Sequence, residues 1–215
     1  MIIKRILYPV VRAGLLAGLL LLCLSCNAQA REHSILVLGD SISAAYGMSL
    51  EQGWVNLLAQ QLAQAEPPVE VINASISGET TAGGLRRLPE LLAQHKPDIV
   101  IIELGANDGL RGYPLAGLRA NLEKLATLSA RAGARVILVA MEIPPNYGAR
   151  YTSGFRQSFI DIADSTDSTL APFLLDSVAT DPALMQADGI HPSAEAQVTL
   201  LRNILPTIQA VLARR

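Results

Sequence analysis

Four short, nearly uninterrupted apolar runs, separated by stretches of helical periodicity, restrict this chain to very few folds. They are Ile35-Leu36-Val37-Leu38, Val69-Glu70-Val71-Ile72, Ile99-Val100-Ile101-Ile102 and Val136-Ile137-Leu138-Val139. Aliphatic runs this short, rich in β-branched residues, read as strands buried on both faces. Helices between successive strands require crossover connections, and crossovers build a parallel sheet with helices on both sides. A weaker fifth strand at residues 170–175, interrupted by Pro172, suits a sheet edge. The expectation is a three-layer α/β/α sandwich around a flavodoxin-like parallel sheet of about five strands, in the order 2-1-3-4-5.

The helical segments carry their own marks. Ser49-Leu50-Glu51-Gln52 fits a capping box ahead of a helix whose apolar face is Leu50, Trp54, Leu57, Leu58 and Leu62. Thr80 or Thr81 caps a second helix with Leu85, Leu88, Leu91 and Leu92 at helical spacing, and Leu115, Leu118, Leu122 and Leu125 mark a third. Residues 155–164 form a fourth. The last runs from about Ser193 towards Ala213, with Val198, Leu201, Leu205, Ile208 and Leu212 inward. Residues 105–109 and 141–154 read as loops, the second long enough to cover part of a site.

Residues 1–30 read as a targeting signal rather than as part of the fold, which leaves residues 31–215 for one domain. Lys4, Arg5 and Arg12 precede the apolar stretch 13–24, and Ala28-Gln29-Ala30 supplies an A-x-A cleavage site. That stretch is short for a membrane span, so no stable transmembrane segment is expected in the mature chain. Cleavage near Ala30 implies a periplasmic or secreted protein; the alternative is a lipoprotein anchored at Cys26, although Leu24 fits a lipoprotein signal poorly. Both cysteines, Cys23 and Cys26, fall in this segment, so the mature chain has neither a disulfide nor a thiol nucleophile. Loss of residues 1–30 removes three basic and no acidic residues, which changes the net charge from −2 to −5, with 14 basic against 19 acidic residues. Such an acidic chain offers no electrostatic footprint for nucleic acid. Nothing in the sequence demands a partner chain, and a monomer is the expectation.

The first strand stops at Gly39-Asp40-Ser41. In open α/β sheets ligands bind outside the carboxyl ends of the strands, so Ser41 stands where a nucleophile would, with Gly39 expected to let the backbone turn sharply. A serine hydroxyl needs a base within reach. Of three histidines, His33 lies near the mature N-terminus and His95 ends a helix, where an imidazolium favours the dipole. His191 sits in Ala187-Asp188-Gly189-Ile190-His191-Pro192, where Gly189 allows Asp188 and His191 to face one another. A helix-entry turn would use the same residue types. Donors for an oxyanion are the N–H of Ser41, the N–H of Gly78 and the carboxamide of Asn107, each after a different strand. Dispersed histidines leave no metal-ligand cluster, and no cofactor is implied.

Gly39-Asp40-Ser41, Gly78, Gly105-Ala106-Asn107-Asp108 and Asp188-Gly189-Ile190-His191 resemble, in order and context, the four sequence blocks of the SGNH (GDSL) hydrolases, serine esterases and lipases on a flavodoxin-like sheet. Residues 73–80, 103–112 and 145–148 look like the bacterial periplasmic acyl-CoA thioesterase I, lysophospholipase L1 and arylesterase subgroup. The resemblance implies Ser41 as nucleophile, His191 as general base, Asp188 as its orienter, and Gly78 and Asn107 completing the oxyanion hole. Ala106 departs from the commonest form, in which a second glycine stands there.

The substrate class implied is a small acyl ester or thioester. Ile76, Leu110, Tyr113, Met141, Ile143, Pro144 and Tyr147 lie in loops near the site and can form an apolar trough for an acyl chain, or can equally anchor those loops on the core. Two other readings use the same framework: a carbohydrate acetylesterase with the same triad, and a flavodoxin-like phosphate or FMN-binding module. The second is disfavoured by a Ser41 loop short of Ser/Thr and by the absence of G-x-G-x-x-G.

Overall fold

The computed structural model describes residues 33–214. The segment read as a targeting signal, with its Cys23, Cys26 and Ala30, lies outside the described residues. A five-stranded parallel sheet has the order β2-β1-β3-β4-β5. Its strands are β1 (His33–Gly39), β2 (Val69–Asn73), β3 (Ile99–Glu103), β4 (Arg135–Val139) and β5 (Thr169–Ala171). Among the described residues the helices are α1 (Trp54–Leu62), α2 (Thr81–His95), α3 (Ala106–Leu110), α4 (Leu115–Arg131), α5 (Ala149–Ser165) and α6 (Gln197–Ala213). The flavodoxin-like order is thus the one expected from the alternation of strands and helices, with the Pro172-limited strand at an edge. No helix among the described residues is long and apolar enough to cross a membrane.

Successive residues of each strand project to opposite faces, and both faces are covered. Ile35, Val37, Ile99, Ile101, Ile137 and Val139 pack with Trp54 and Leu58 of α1 and with Leu200, Ile204 and Ile208 of α6. Leu36, Leu38, Val100, Ile102 and Leu138 pack with α2, α4 and α5 through Leu88, Leu122, Phe155 and Phe159. Full burial of such a side chain contributes roughly 1.5–3 kcal/mol, so the central strands are aliphatic on both sides. The register sets Val37 opposite Asn73 and Gly39 opposite Glu103. That alignment brings the loops after β1, β2 and β3 to one edge.

Four local expectations need correction. Helix α1 begins only at Trp54, whose N–H donates to the Gln197 side chain at 2.9 Å; Leu50 stands on a preceding 3-10 turn and is 65% exposed. The segment after Gly105 is the helical turn α3 rather than a loop, closed by Gly109 N–H to the Gly105 carbonyl at 2.9 Å. Helix α5 starts at Ala149, earlier than expected: its first turn sets only the partly buried Tyr151 against the apolar core that Phe155 enters, too little for a periodic signal. The buried face of α6 is Gln197, Leu200, Leu201, Ile204, Ile208 and Val211, whereas Val198 is 56% exposed. Gln197 decides this: its carboxamide accepts from Trp54 N–H and donates to the Ser193 carbonyl, turning a polar side chain inward.

Candidate active site

Gly39 ends β1 and Ser41 opens the turn that follows. Its glycine is explained by a close approach rather than by the expected sharp turn: a Cβ there would lie 2.7 Å from Glu103 Oε2 and 2.7 Å from Ser43 Cβ. Ser41 lies in a hydrogen-bonded turn, with Ala44 N–H donating to the Asp40 carbonyl and Tyr46 N–H to the Ser41 carbonyl. This places Ser41 Oγ 2.9 Å from His191 Nε2.

His191 Nδ1 lies 2.7 Å from Asp188 Oδ2. An ionised carboxylate only accepts, so Nδ1 carries the hydrogen and the neutral ring presents Nε2 as acceptor to the Ser41 hydroxyl. The other carboxylate oxygen of Asp188 accepts from Ile190 N–H at 2.9 Å and from His191 N–H at 3.0 Å. Those donors, the His191 N–H foremost, hold Asp188 down at about 2. Asp188 is therefore charged throughout the neutral range and fixes both the tautomer and the orientation of the ring. Gly189 makes the bend with φ +65°.

On the opposite side of Ser41, Ile76 N–H donates to the Gly39 carbonyl at 3.1 Å and docks the loop after β2 on the end of β1. Gly78 follows with φ +78°. Among the described residues, neither the Ser41 N–H nor the Gly78 N–H has a hydrogen-bond partner. Asn107 on α3 donates from Nδ2 to Asp40 Oδ2 at 3.2 Å, which leaves its second N–H available. The next residue, Asp108, is 4% exposed and accepts from the N–H and the hydroxyl of Thr81, tying α3 to the start of α2. His33 and His95 lie away from this constellation, at the start of β1 and the end of α2.

Beneath the Ser41 turn are two buried acids, Asp40 and Glu103. Asp40 accepts from Ile42 N–H at 3.0 Å and is pushed up to about 6, chiefly by burial. Glu103 is 1% exposed, and its Oε2 accepts from Ser43 Oγ–H at 2.7 Å and Asp40 N–H at 3.3 Å. Burial, then the neighbouring Asp40 charge, hold Glu103 well above the ordinary carboxyl range. In the sequence its signal was a carboxyl ending an otherwise aliphatic strand. Tyr46 and Gln186 also adjoin His191 and carried no comparable mark in the sequence.

A cavity of about 550 Å³ opens beside this turn, between the ends of β3, β4 and β5. Leu110, Met141, Ile143 and Pro144 line it, as do Ile42 and Ala106. Ile76 and Tyr147 are not in its wall: Ile76 is 47% exposed on the Gly78 loop, and Tyr147 donates its hydroxyl to the Leu110 carbonyl at 2.7 Å. Tyr113 is also outside it, 46% exposed, with its carbonyl accepting from the Tyr151 hydroxyl. Among the described residues no group of three or more His, Cys, Asp or Glu is placed to hold a metal ion.

Residues 37–198 match the sequence profile of the GDSL-like lipase/acylhydrolase family. The chain belongs to that family. This GDSL-family chain is 49% identical over 201 residues to esterase TesA of Pseudomonas aeruginosa, covering 94% of the chain and 100% of that protein. It is 41% identical over 179 residues to the thioesterase 1/protease 1/lysophospholipase L1 of Escherichia coli K12, covering 83% and 84% of the two chains. Among solved structures, the psychrotrophic esterase EstA from Pseudoalteromonas, inhibited by monoethylphosphonate, superposes with a TM-score of 0.80 at 46% identity, covering 84% of this chain and 99% of that one. The relatives are those of the thioesterase and arylesterase subgroup.

Proposed function

We propose that this protein is a serine hydrolase of carboxylic ester and thioester bonds, of the lysophospholipase, acyl-CoA thioesterase and arylesterase type. The observation that carries the reading is the continuous row Asp188–His191–Ser41, with contacts of 2.7 and 2.9 Å. Its relatives' names, esterase and thioesterase 1/lysophospholipase L1, point the same way.

In this reading Ser41 Oγ attacks the acyl carbonyl while His191 Nε2 takes its proton, and the ring, now an imidazolium, is balanced by Asp188. The carbonyl oxygen becomes an oxyanion held by the N–H groups of Ser41 and Gly78 and by the Asn107 carboxamide. As the intermediate collapses, His191 returns the proton to the departing alcohol or thiol, leaving an acyl-Ser41 ester. Water then attacks that ester, giving its proton to His191, and the carboxylic acid leaves as Ser41 regains its hydrogen. The acyl chain lies along Leu110, Met141, Ile143 and Pro144. Tyr147 supports that wall through its bond to Leu110, and Ile76 meets the leaving-group side. The substrate is small and no second macromolecule takes part. Export by the segment 1–30, with cleavage near Ala30, would place the reaction in the periplasm or outside the cell; a lipidated Cys26 on the mature N-terminus, read by mass spectrometry, would instead make it a lipoprotein.

The decisive experiment is hydrolysis of a nitrophenyl butyrate ester by wild type and by Ser41→Ala, with thermal unfolding followed in parallel. The variant unfolds as wild type does and releases no nitrophenol above background. Retained turnover would remove Ser41 as the nucleophile.

A further inference from the structure

Asp188 and His191 ride on an exposed loop closed on itself. Met185 and Pro192 form an antiparallel bridge, Gln186 N–H donates to the His191 carbonyl at 2.7 Å, and Gly189 N–H donates to the Gln186 carbonyl at 2.9 Å. These bonds shape the loop but do not fix its distance from Ser41, which belongs to a turn about 140 residues earlier. Among the described residues, two hydrogen bonds join residues 185–192 to the Ser41 turn. One is the contact between His191 and Ser41 itself. The other is made by Gln186, whose Nε2 donates to the Tyr46 carbonyl at 2.7 Å.

The first contact cannot keep the loop in place, because in the proposed reaction it is broken and remade in every turnover. The second is untouched by the chemistry. Both hydrogens of the Gln186 carboxamide are engaged, one with Tyr46 and the other with the Pro192 carbonyl at 3.0 Å. One rigid, planar group therefore spans from the residue after His191 to a residue of the nucleophile turn. Tyr46 in turn is tied to Ser41 through its own N–H, which donates to the Ser41 carbonyl at 3.0 Å. Gly47 makes room for the bridge: a Cβ there would lie 2.3 Å from Gln186 Oε1.

We propose that Gln186 is a positioning residue that sets the distance between the His191 imidazole and the Ser41 hydroxyl by bridging the two turns that carry them. The proposal rests on the triad reading above. A displacement of about 1 Å at reacting groups costs on the order of a hundredfold in rate, so the bridge is worth testing in kcat.

The test uses Gln186→Met, which keeps the length of the side chain but removes both donors, and Gln186→Glu at pH 8, which keeps its shape but offers, as a carboxylate, no donor to either carbonyl. On a nitrophenyl butyrate ester both lower kcat on the order of ten- to a hundredfold with KM little changed, and labelling of Ser41 by a fluorophosphonate slows in parallel. The same substitutions are then made in a His191→Ala background. There they cost nothing further, because a residue that acts by placing the imidazole has nothing left to place. Wild-type kcat in both single variants would overturn the proposal, and so would an equal loss with and without His191. Full activity in the Ser41→Ala control would instead sink the triad reading, so the two failures are distinguishable.

Discussion

The ring of Tyr46 lies over the imidazole of His191, with centroids 4.3 Å apart and planes inclined at 34°. An aromatic face so placed stabilises a neighbouring cation and shields one side of the ring from water. The imidazolium formed during the proposed acyl transfer is such a cation. Tyr46→Phe retains the face and is expected to keep kcat within about twofold, whereas Tyr46→Ala loses an interaction of roughly 0.5–1 kcal/mol and lowers kcat several-fold. Steady-state hydrolysis of a nitrophenyl ester measures both. Equal rates in the two variants would show that the ring contact does not contribute to the reaction.

Burial and the Asp40 charge push the Glu103 carboxyl towards its protonated form. Its folded-state pKa is raised above the model-peptide value of 4.5 by burial and by the Asp40 charge. A raised carboxyl pKa gives stability that is complete below the unfolded value and is lost as pH rises through the folded one. Glu103→Gln keeps a carbonyl oxygen to accept from Ser43 and Asp40 and never ionises, so the variant is expected to fold and hydrolyse ester near the wild-type rate. Its Tm relative to wild type should rise as pH increases from 4, each 1 kcal/mol that the wild type loses showing as roughly 2–4 °C in a chain of this size. A difference constant over that increase, read by calorimetry, would contradict a raised Glu103 pKa.

Asn107 should contribute on the order of a hundredfold or more to kcat as an oxyanion donor, so Asn107→Ala loses that factor at pH 8. Its carboxamide is oriented by the Asp40 carboxylate at 3.2 Å, and Asp40 is pushed up to about 6. As pH falls through that value Asp40 gains a proton and one acceptor is lost. The ratio of wild-type to Asn107→Ala rates should then shrink below about pH 6. A ratio independent of pH from 5 to 8 would separate Asp40 from the orientation of Asn107.

The 550 Å³ cavity beside the Ser41 turn is lined by Ala140, Leu110, Met141 and Ile143. Filling it with Ala140→Phe should lower kcat/KM for an octanoyl ester about tenfold or more, since each methylene kept from an apolar wall forgoes about 0.8 kcal/mol. An acetyl ester, too short to enter, should be unaffected. Equal loss on both esters would mean that the substitution perturbs the reacting groups and that the acyl chain lies elsewhere. A wild type that prefers acetyl over octanoyl esters would favour an acetylesterase.

What the amino-acid sequence determined by itself was the architecture and the chemical types at the site. Runs of consecutive aliphatics mark doubly covered strands, crossovers force them parallel, and Gly39-Asp40-Ser41 and Asp188-Gly189-Ile190-His191 stand at loop positions that such a sheet brings to one edge. Local periodicity reports how strongly a residue prefers the core, and so it located α2 and α4 well. It missed the start of α5, where only the partly buried Tyr151 meets the core, and on α6 it turned Val198 inward in place of Gln197, whose side chain is drawn in by its bond to Trp54 while Leu201, Leu205, Ile208 and Leu212 pack as expected. Only the tertiary structure decided which polar groups meet. Gln186 reaches Tyr46 across 140 residues and Ser43 reaches Glu103 across 60. Hydrogen bonds demand a fit of a few tenths of an ångström between groups, and that fit exists only once the sheet has closed; an apolar pattern, being non-directional, is written in the chain before it folds.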